Sequence, residues 1–243
     1  MAHLASTYTA LATLLALGDN LVRVERNAVL LGVRSTQHAD GAFSAYAGGE
    51  ADMRFVFCAA AVGTLLGDRE WSCLDHASTV AYIVSSVSYE GGIGLGPGQE
   101  AHGGSTFCGI AALSLLGALD ALPSRAQTTR WCLQRQVTTG GFQGRANKDA
   151  DTCYSYWIGA SLALLEAADL VSARESSSFT CRCQYRLGGL CKQEGAPPDP
   201  LHSCLSLCGL ALLGRFGLEP MEPALGITAR AWALARSQCE HLR

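Results

Sequence analysis

Four segments of the chain align with one another without gaps, and a sequence that repeats in this way is confined to a repeat architecture. They are Gly41–Gly67, Gly91–Gly117, Gly140–Glu166 and Gly188–Gly214. Anchored on Phe43, Ile93, Phe142 and Leu190, they recur at intervals of 50, 49 and 48 residues. The 24th residue after each anchor is Gly67, Gly117, Glu166 or Gly214. Every unit opens on a glycine turn, runs through a polar loop and continues as an apolar helix that ends near glycine. In the first unit Phe55, Ala59, Val62 and Leu66 fall on one face at near-helical spacing. Glycine at the far end suits a left-handed position just past a helix. More polar outer helices are expected between the units, at Trp71–Ser85, Pro123–Gln136 and Val171–Tyr185, with Pro123 in the first turn of its helix.

His3–Gly18 aligns with the helical half of a unit. The tail after Gly214 contains Pro220 and Pro223 and then one expected helix, Ile227–Cys239, which reads as a cap. That makes about four and a half helix pairs. Such pairs stack into a solenoid or close into an α/α toroid, with the inner helices around a central space. In either case the fold is all-α, and residues 1–243 are expected to form one domain.

Composition narrows the function. Residues of the hydrophobic class make up 49% of the chain, enough for a sizeable core, and no apolar run reaches the length of a membrane span. A net charge of −3 gives no broad basic field, so nucleic acid is not an expected partner. The 11 cysteines sit mostly inside apolar runs such as Phe57-Cys58-Ala59, and no signal peptide precedes them. Buried thiols in a reducing cytoplasm are therefore expected rather than a disulfide framework.

The repeat register also gathers candidate site residues. The ninth residue after each anchor is Asp52, His102, Asp151 or Asp199, where loop meets inner helix. Free N–H groups and the helix dipole favour anions at such ends. Asp151, Cys153 and His202 offer oxygen, sulfur and nitrogen at two neighbouring junctions, the donor set of a catalytic zinc with one position open. Taken singly, the Asp reads as a helix cap, the Cys as core and the His as a hydrogen-bonded residue. A second group comprises His102, Arg145, Lys148 and Tyr154, with Gly103 and Gly104 letting the backbone approach a ligand. Cations and hydrogen-bond donors of this kind hold a diphosphate, and a solvated basic loop is the plainer alternative. Arg54 stands near a helix start beside Glu50 and Asp52, where an internal ion pair competes with a substrate role. Phe55, Phe107, Tyr154, Tyr156 and Trp157 form an inner aromatic stripe that reads either as core or as the lining of the central space.

At GGEADMRFVFC (48–58), GLGPGQEAHGGSTFCGIAAL (94–113), GRANKDADTCYSYW (144–157) and DPLHSCLSLCGL (199–210) the sequence resembles the β subunits of protein prenyltransferases, most closely those of geranylgeranyltransferase type I. The resemblance covers nearly the whole chain. It implies an α/α toroid, one bound Zn2+ and a heterodimer with a separate helical-repeat α subunit. Asp151, Cys153 and His202 then match the zinc ligands, and Lys192 joins them as a catalytic residue. Geranylgeranyl diphosphate would be held by residues among His102, Gly103, Gly104, Arg145, Ala146, Asn147, Lys148, Tyr154, Ser155, Tyr156 and Trp157. Arg54 matches a position near the C-terminus of the peptide substrate. The implied reaction is transfer of the geranylgeranyl group to the cysteine of a C-terminal CaaX motif ending in Leu or Phe, on proteins such as small GTPases. Thr152 in DTCYSYW and Ser105 in HGGSTFCG favour the type I form over the farnesyl and Rab-specific relatives. By the same resemblance Lys192 replaces an Asp that helps to place Mg2+, so Mg2+ is not expected to be required. The family's N-terminal helix pair has no counterpart here. A non-catalytic binding subunit and a farnesyltransferase are the alternatives, whereas a toroid terpene cyclase predicts a D-x-D-D motif that the chain lacks.

Overall fold

The computed structural model describes residues 3–241. Five inner helices alternate with outer ones. The inner set is α1 (Leu4–Ala16), α3 (Met53–Leu65), α5 (Gly103–Leu115), α7 (Tyr154–Leu164) and α9 (Pro200–Leu212). The outer set is α2 (Arg26–Arg34), α4 (His76–Ser85), α6 (Arg125–Leu133) and α8 (Ala173–Arg182). A two-residue hairpin, β1 (Met221–Glu222) and β2 (Ile227–Thr228), leads into α10 (Ala229–His241). Each inner helix packs on the next, from α1 through α9, and the hairpin and α10 return to α1. The result is the expected α/α toroid.

Burial follows from composition. In α3 every residue from Val56 to Gly63 is buried, and in α5 every residue from Ser105 to Leu113. A helix apolar all round can only be core. The α9 helix differs, leaving Leu201, Cys204 and Leu207 exposed.

The expected glycine turns recur with one geometry. Gly41, Gly91, Gly140 and Gly188 all have positive φ, between 91° and 110°. In each turn a backbone N–H three residues before the glycine donates to the carbonyl one residue after it: His38 to Ala42, Ser88 to Gly92, Val137 to Gly141, Tyr185 to Gly189. At Gly140 a side chain is excluded twice, because a Cβ would also stand 2.5 Å from the Glu175 carbonyl of α8. The turn thus seats itself on the following outer helix.

A second set of bonds joins neighbouring units. The N–H of the first residue after each junction donates to the carbonyl two residues past the next anchor. The pairs are Leu4 to Ala45 (2.8 Å), Met53 to Leu95 (2.8 Å), Gly103 to Gly144 (2.7 Å) and Thr152 to Lys192 (2.9 Å). Leu4 therefore stands in the register that its partial alignment predicted.

Three outer helices begin later than expected. Asp75, Ser124 and Ser172 cap them, each accepting from the N–H three residues on. Pro123 accordingly lies before the Ser124 cap rather than in the first turn of α6. The last helix also starts later, since Ile227 and Thr228 pair with β1; its side chains beyond Ser237 lie outside the described set. The ten cysteines whose side chains are described are free, and most are buried. Among the described residues no helix is long and apolar enough to cross a membrane.

Candidate metal and anion site

Three of the four junction residues cap their helices, and Asp151 makes the equivalent bond in the turn just before α7, whose own N-cap is Cys153. Asp52 accepts from Arg54 N–H, His102 from Gly104 N–H, Asp151 from Cys153 N–H and Asp199 from His202 N–H. Capping and candidate chemistry are therefore not alternatives here, because one side chain offers atoms to both.

Asp151, Cys153 and His202 converge. One ligand-type atom from each lies within 4.8 Å of the other two. Asp151 and Cys153 are buried, and His202 has a side chain only 16% exposed. His202 Nε2 is 3.3 Å from Asp151 Oδ1, and its Nδ1 is 2.5 Å from Asp199 Oδ2. The spacing of 3.3 Å matches the edge of a tetrahedron whose metal–ligand bonds are about 2.0 Å. Asp199 fixes the imidazole from behind, as an outer partner of a metal-binding histidine does. Burial, followed by the Asp151 carboxylate and a hydrogen bond to it, pushes the Cys153 thiol well above its ordinary pKa. A divalent cation inverts that preference, since a coordinated thiol loses its proton. The donor set therefore fits zinc.

Beside this trio lies a cavity of about 410 Å³. Its wall includes His102, Arg145, Lys148, Asp151, Tyr154 and Lys192, all expected from sequence. Lys192 lines the same cavity, with its Nζ 3.9 Å from Asp151 Oδ2 of the trio. Asn147 has φ +60°, a left-handed conformation that turns the loop between Arg145 and Lys148.

The state of His102 follows from its neighbours. Its Nδ1 accepts from Gly104 N–H at 3.1 Å, so that nitrogen carries no proton. Nε2 then donates to Tyr154 Oη, 2.8 Å away. The Tyr154 hydroxyl proton is thereby left for another acceptor. Burial, and secondarily Arg145, holds the His102 pKa below its usual value, in agreement with a neutral ring. Burial, with the nearby Cys153 and Asp151, pushes the Tyr154 hydroxyl up to about 12, so it serves as a donor at neutral pH.

Other expected residues stand elsewhere. Gly103 opens α5 and is tied to the Gly144 carbonyl, and Ala146 is exposed on the loop beside the cavity. Ser155 is buried, with its hydroxyl on the Thr152 carbonyl. Tyr156 is 2% exposed and donates to the Pro223 carbonyl. Trp157 packs on Phe107 at a ring-centroid distance of 5.0 Å. Phe107 also meets Tyr156 at 5.2 Å and Phe57 at 5.3 Å, so Phe107, Tyr156 and Trp157 of the stripe pack on one another, whereas Phe55 and Tyr154 stand against His3 and His102. Arg54 does not line the cavity; it forms a forked pair with Asp52, both of whose carboxylate oxygens it contacts.

Three residues near the site escaped the sequence reading. Asp199 was visible as a junction residue but not as the partner of His202. Glu100 pairs with Arg145 at 2.7 Å. Thr152, noted only as a type marker, is fully buried and acts as a strut: its hydroxyl donates to the Cys191 carbonyl at 2.8 Å and its N–H to Lys192. No periodicity announces the Glu100 and Thr152 contacts, which join residues 39 to 45 apart.

Residues 1–227 match the family described as the prenyltransferase alpha-alpha toroid domain. The chain is 42% identical over 236 residues to the geranylgeranyl transferase type-1 subunit beta of Arabidopsis thaliana. It is 42% identical over 230 residues to the subunit of the same name from Dictyostelium discoideum. Each alignment takes in 93% of this chain, and the chain spans 62% and 64% of those two relatives. Among solved structures, the Candida albicans protein geranylgeranyltransferase-I complexed with GGPP superposes with a TM-score of 0.87 at 28% identity, covering 98% of this chain and 74% of that one. With ring, junctions and matched length in agreement, the chain belongs to the prenyltransferase α/α-toroid family.

Proposed function

We infer that the chain is the β subunit of a zinc-dependent protein geranylgeranyltransferase of type I. The observation that carries this reading is the contiguity of two unlike sites: a soft-donor trio of Asp151, Cys153 and His202, and a cavity walled by His102, Arg145, Lys148, Tyr154 and Lys192. A thiol and a diphosphate ester require these two environments side by side. The 42% identity to two type-1 β subunits supports the choice of the twenty-carbon donor.

In this reading Asp151, Cys153 and His202 hold zinc, which favours the thiolate form of a CaaX cysteine at neutral pH. Arg145 and Lys148 bind the diphosphate of geranylgeranyl diphosphate and stabilise the charge that grows on it as the C1–O bond breaks. Tyr154 donates its hydroxyl proton to the same oxygens, with His102 held neutral behind it. Lys192, on the cavity wall beside Asp151, supplies positive charge where a metal ion would otherwise be needed, so the reaction proceeds without Mg2+. Gly103, Gly104 and the 144–148 loop bring the backbone close. Ser155, Tyr156 and Trp157 support the wall from the core, and Arg54 serves the peptide's C-terminal end. A separate α subunit completes the enzyme, which acts in the cytoplasm on CaaX proteins such as small GTPases.

The test is zinc content together with transfer of labelled geranylgeranyl to a peptide ending in Leu, with an α subunit co-expressed. One zinc per chain and transfer that survives removal of Mg2+ are expected. Cys153→Ala should abolish both zinc retention and transfer while helix content stays nearly constant. Full zinc occupancy in that variant sinks the ligand assignment. Stoichiometric zinc with no transfer by the wild type supports a non-catalytic subunit, and preference for the fifteen-carbon donor supports a farnesyltransferase.

A further inference from the structure

The three cations on the cavity wall have carboxylates for neighbours. Arg145, Lys148 and Lys192 line it, as do Asp149 and Asp151. A third carboxylate, Glu100, stands outside the wall with its Oε2 2.7 Å from Arg145 Nη1. Glu100 sits two residues before His102, on the stretch that enters α5, and Arg145 lies in the next unit's loop. The Gly103 N–H to Gly144 carbonyl bond of 2.7 Å ties the two stretches together, three residues after Glu100 and one before Arg145. Backbone position therefore keeps the carboxylate beside the guanidinium, while both side chains stay half in solvent, 66% and 42% exposed. An ion pair so exposed is weak and opens readily.

We propose that Glu100 is a charge gate on this cavity: it holds Arg145 while the cavity is empty and competes with a bound diphosphate for it. The proposal rests on the diphosphate reading given above. An entering diphosphate draws the guanidinium away from Glu100 and leaves an uncompensated carboxylate near the cavity's edge. That carboxylate repels the anion and recaptures Arg145 as the anion departs. Glu100 thus weakens the hold on inorganic diphosphate, the released product, and keeps the cavity from being blocked by it. Because it acts through Arg145, it is a positioning residue rather than a catalytic one.

The experiment measures binding of inorganic pyrophosphate to the full chain by calorimetry at low and high salt. Glu100→Gln keeps the shape and removes the charge; its affinity should rise about 3- to 10-fold at low salt, with a smaller gain at high salt. Glu100→Asp, which keeps the charge, should stay near the wild type. In an Arg145→Gln background the Glu100→Gln gain should shrink to the part owed to direct repulsion of the anion. An affinity unchanged or lowered in Glu100→Gln overturns the gate, as does a full gain persisting without Arg145. Failure of the wild type to bind pyrophosphate overturns the diphosphate reading and the gate with it, whereas binding that ignores Glu100 overturns the gate alone.

Discussion

Asp199 does two things at one position. Its Oδ1 accepts the His202 N–H at the start of α9, and its Oδ2 meets His202 Nδ1. The two roles separate on substitution. Asparagine is as good a helix cap as aspartate but brings no charge to the imidazole. Asp199→Asn should leave the melting temperature nearly unchanged and weaken zinc binding about 10- to 100-fold, read by competition with a chelator. Equal zinc affinity in the two proteins removes Asp199 from the metal site. At this scale the sequence showed the trio, because the repeat register brought Asp151, Cys153 and His202 to neighbouring junctions. Asp199 was legible only as a cap, since which of its oxygens faces which atom depends on the ring orientation of His202. Glu100 and Thr152 were hidden for a related reason: their partners lie in the following unit, and only the stacking of units joins them.

Three of the four outer helices, α2, α4 and α6, send their first residue to the far end of the following inner helix. Arg26 donates to the Leu66 and Gly67 carbonyls beyond α3, His76 Nε2 lies 3.0 Å from the Leu116 carbonyl beyond α5, and Arg125 pairs with Glu166 beyond α7. Basic groups belong at helix C-termini, where carbonyls lack partners. The second residue past each inner helix is left-handed: Gly18, Gly67, Gly117 and Gly214, with Glu166, at φ +59°, the one that is not glycine. A side chain in that conformation costs about 1 kcal/mol or more. Its ion pair with Arg125 offsets little, because the Glu166 side chain is 85% exposed. Glu166→Gly should therefore stabilise the protein by up to about 1 kcal/mol, raising the melting temperature by roughly 2–4 °C. A lower melting temperature shows that the strain is absent or that the ion pair outweighs it. Glycine placement made the units readable, and the helix ends were less so. Asp75, Ser124 and Ser172 halt the outer helices because their side chains compete for the first N–H groups, a local choice that apolar periodicity does not report.

In a linear array of repeats each unit leans only on its neighbours, and damage at one end stays there. This chain is different, because its tail returns to its beginning. Tyr8 of α1 donates to the Leu225 carbonyl at 2.7 Å, and Tyr156 of α7 donates to the Pro223 carbonyl at 3.1 Å. Leu225 is fully buried, as is Ala231 of α10, while β2 and α10 pack on α1. The tail thus ties the first inner helix to the fourth. The tail helix could be read from sequence as a cap, but its destination could not, since Tyr8 and Leu225 are 217 residues apart and share no repeat position. Leu225→Ala should cost about 2–5 kcal/mol through the cavity it leaves. If the tail closes the ring, the loss reaches α1: hydrogen exchange in Leu4–Ala16 should speed up markedly, while α5, held on both sides by inner helices, changes less. Unaltered protection of α1 alongside a lowered melting temperature means that the tail only covers the end of an open array, and that Tyr8 contributes a surface contact rather than a closure.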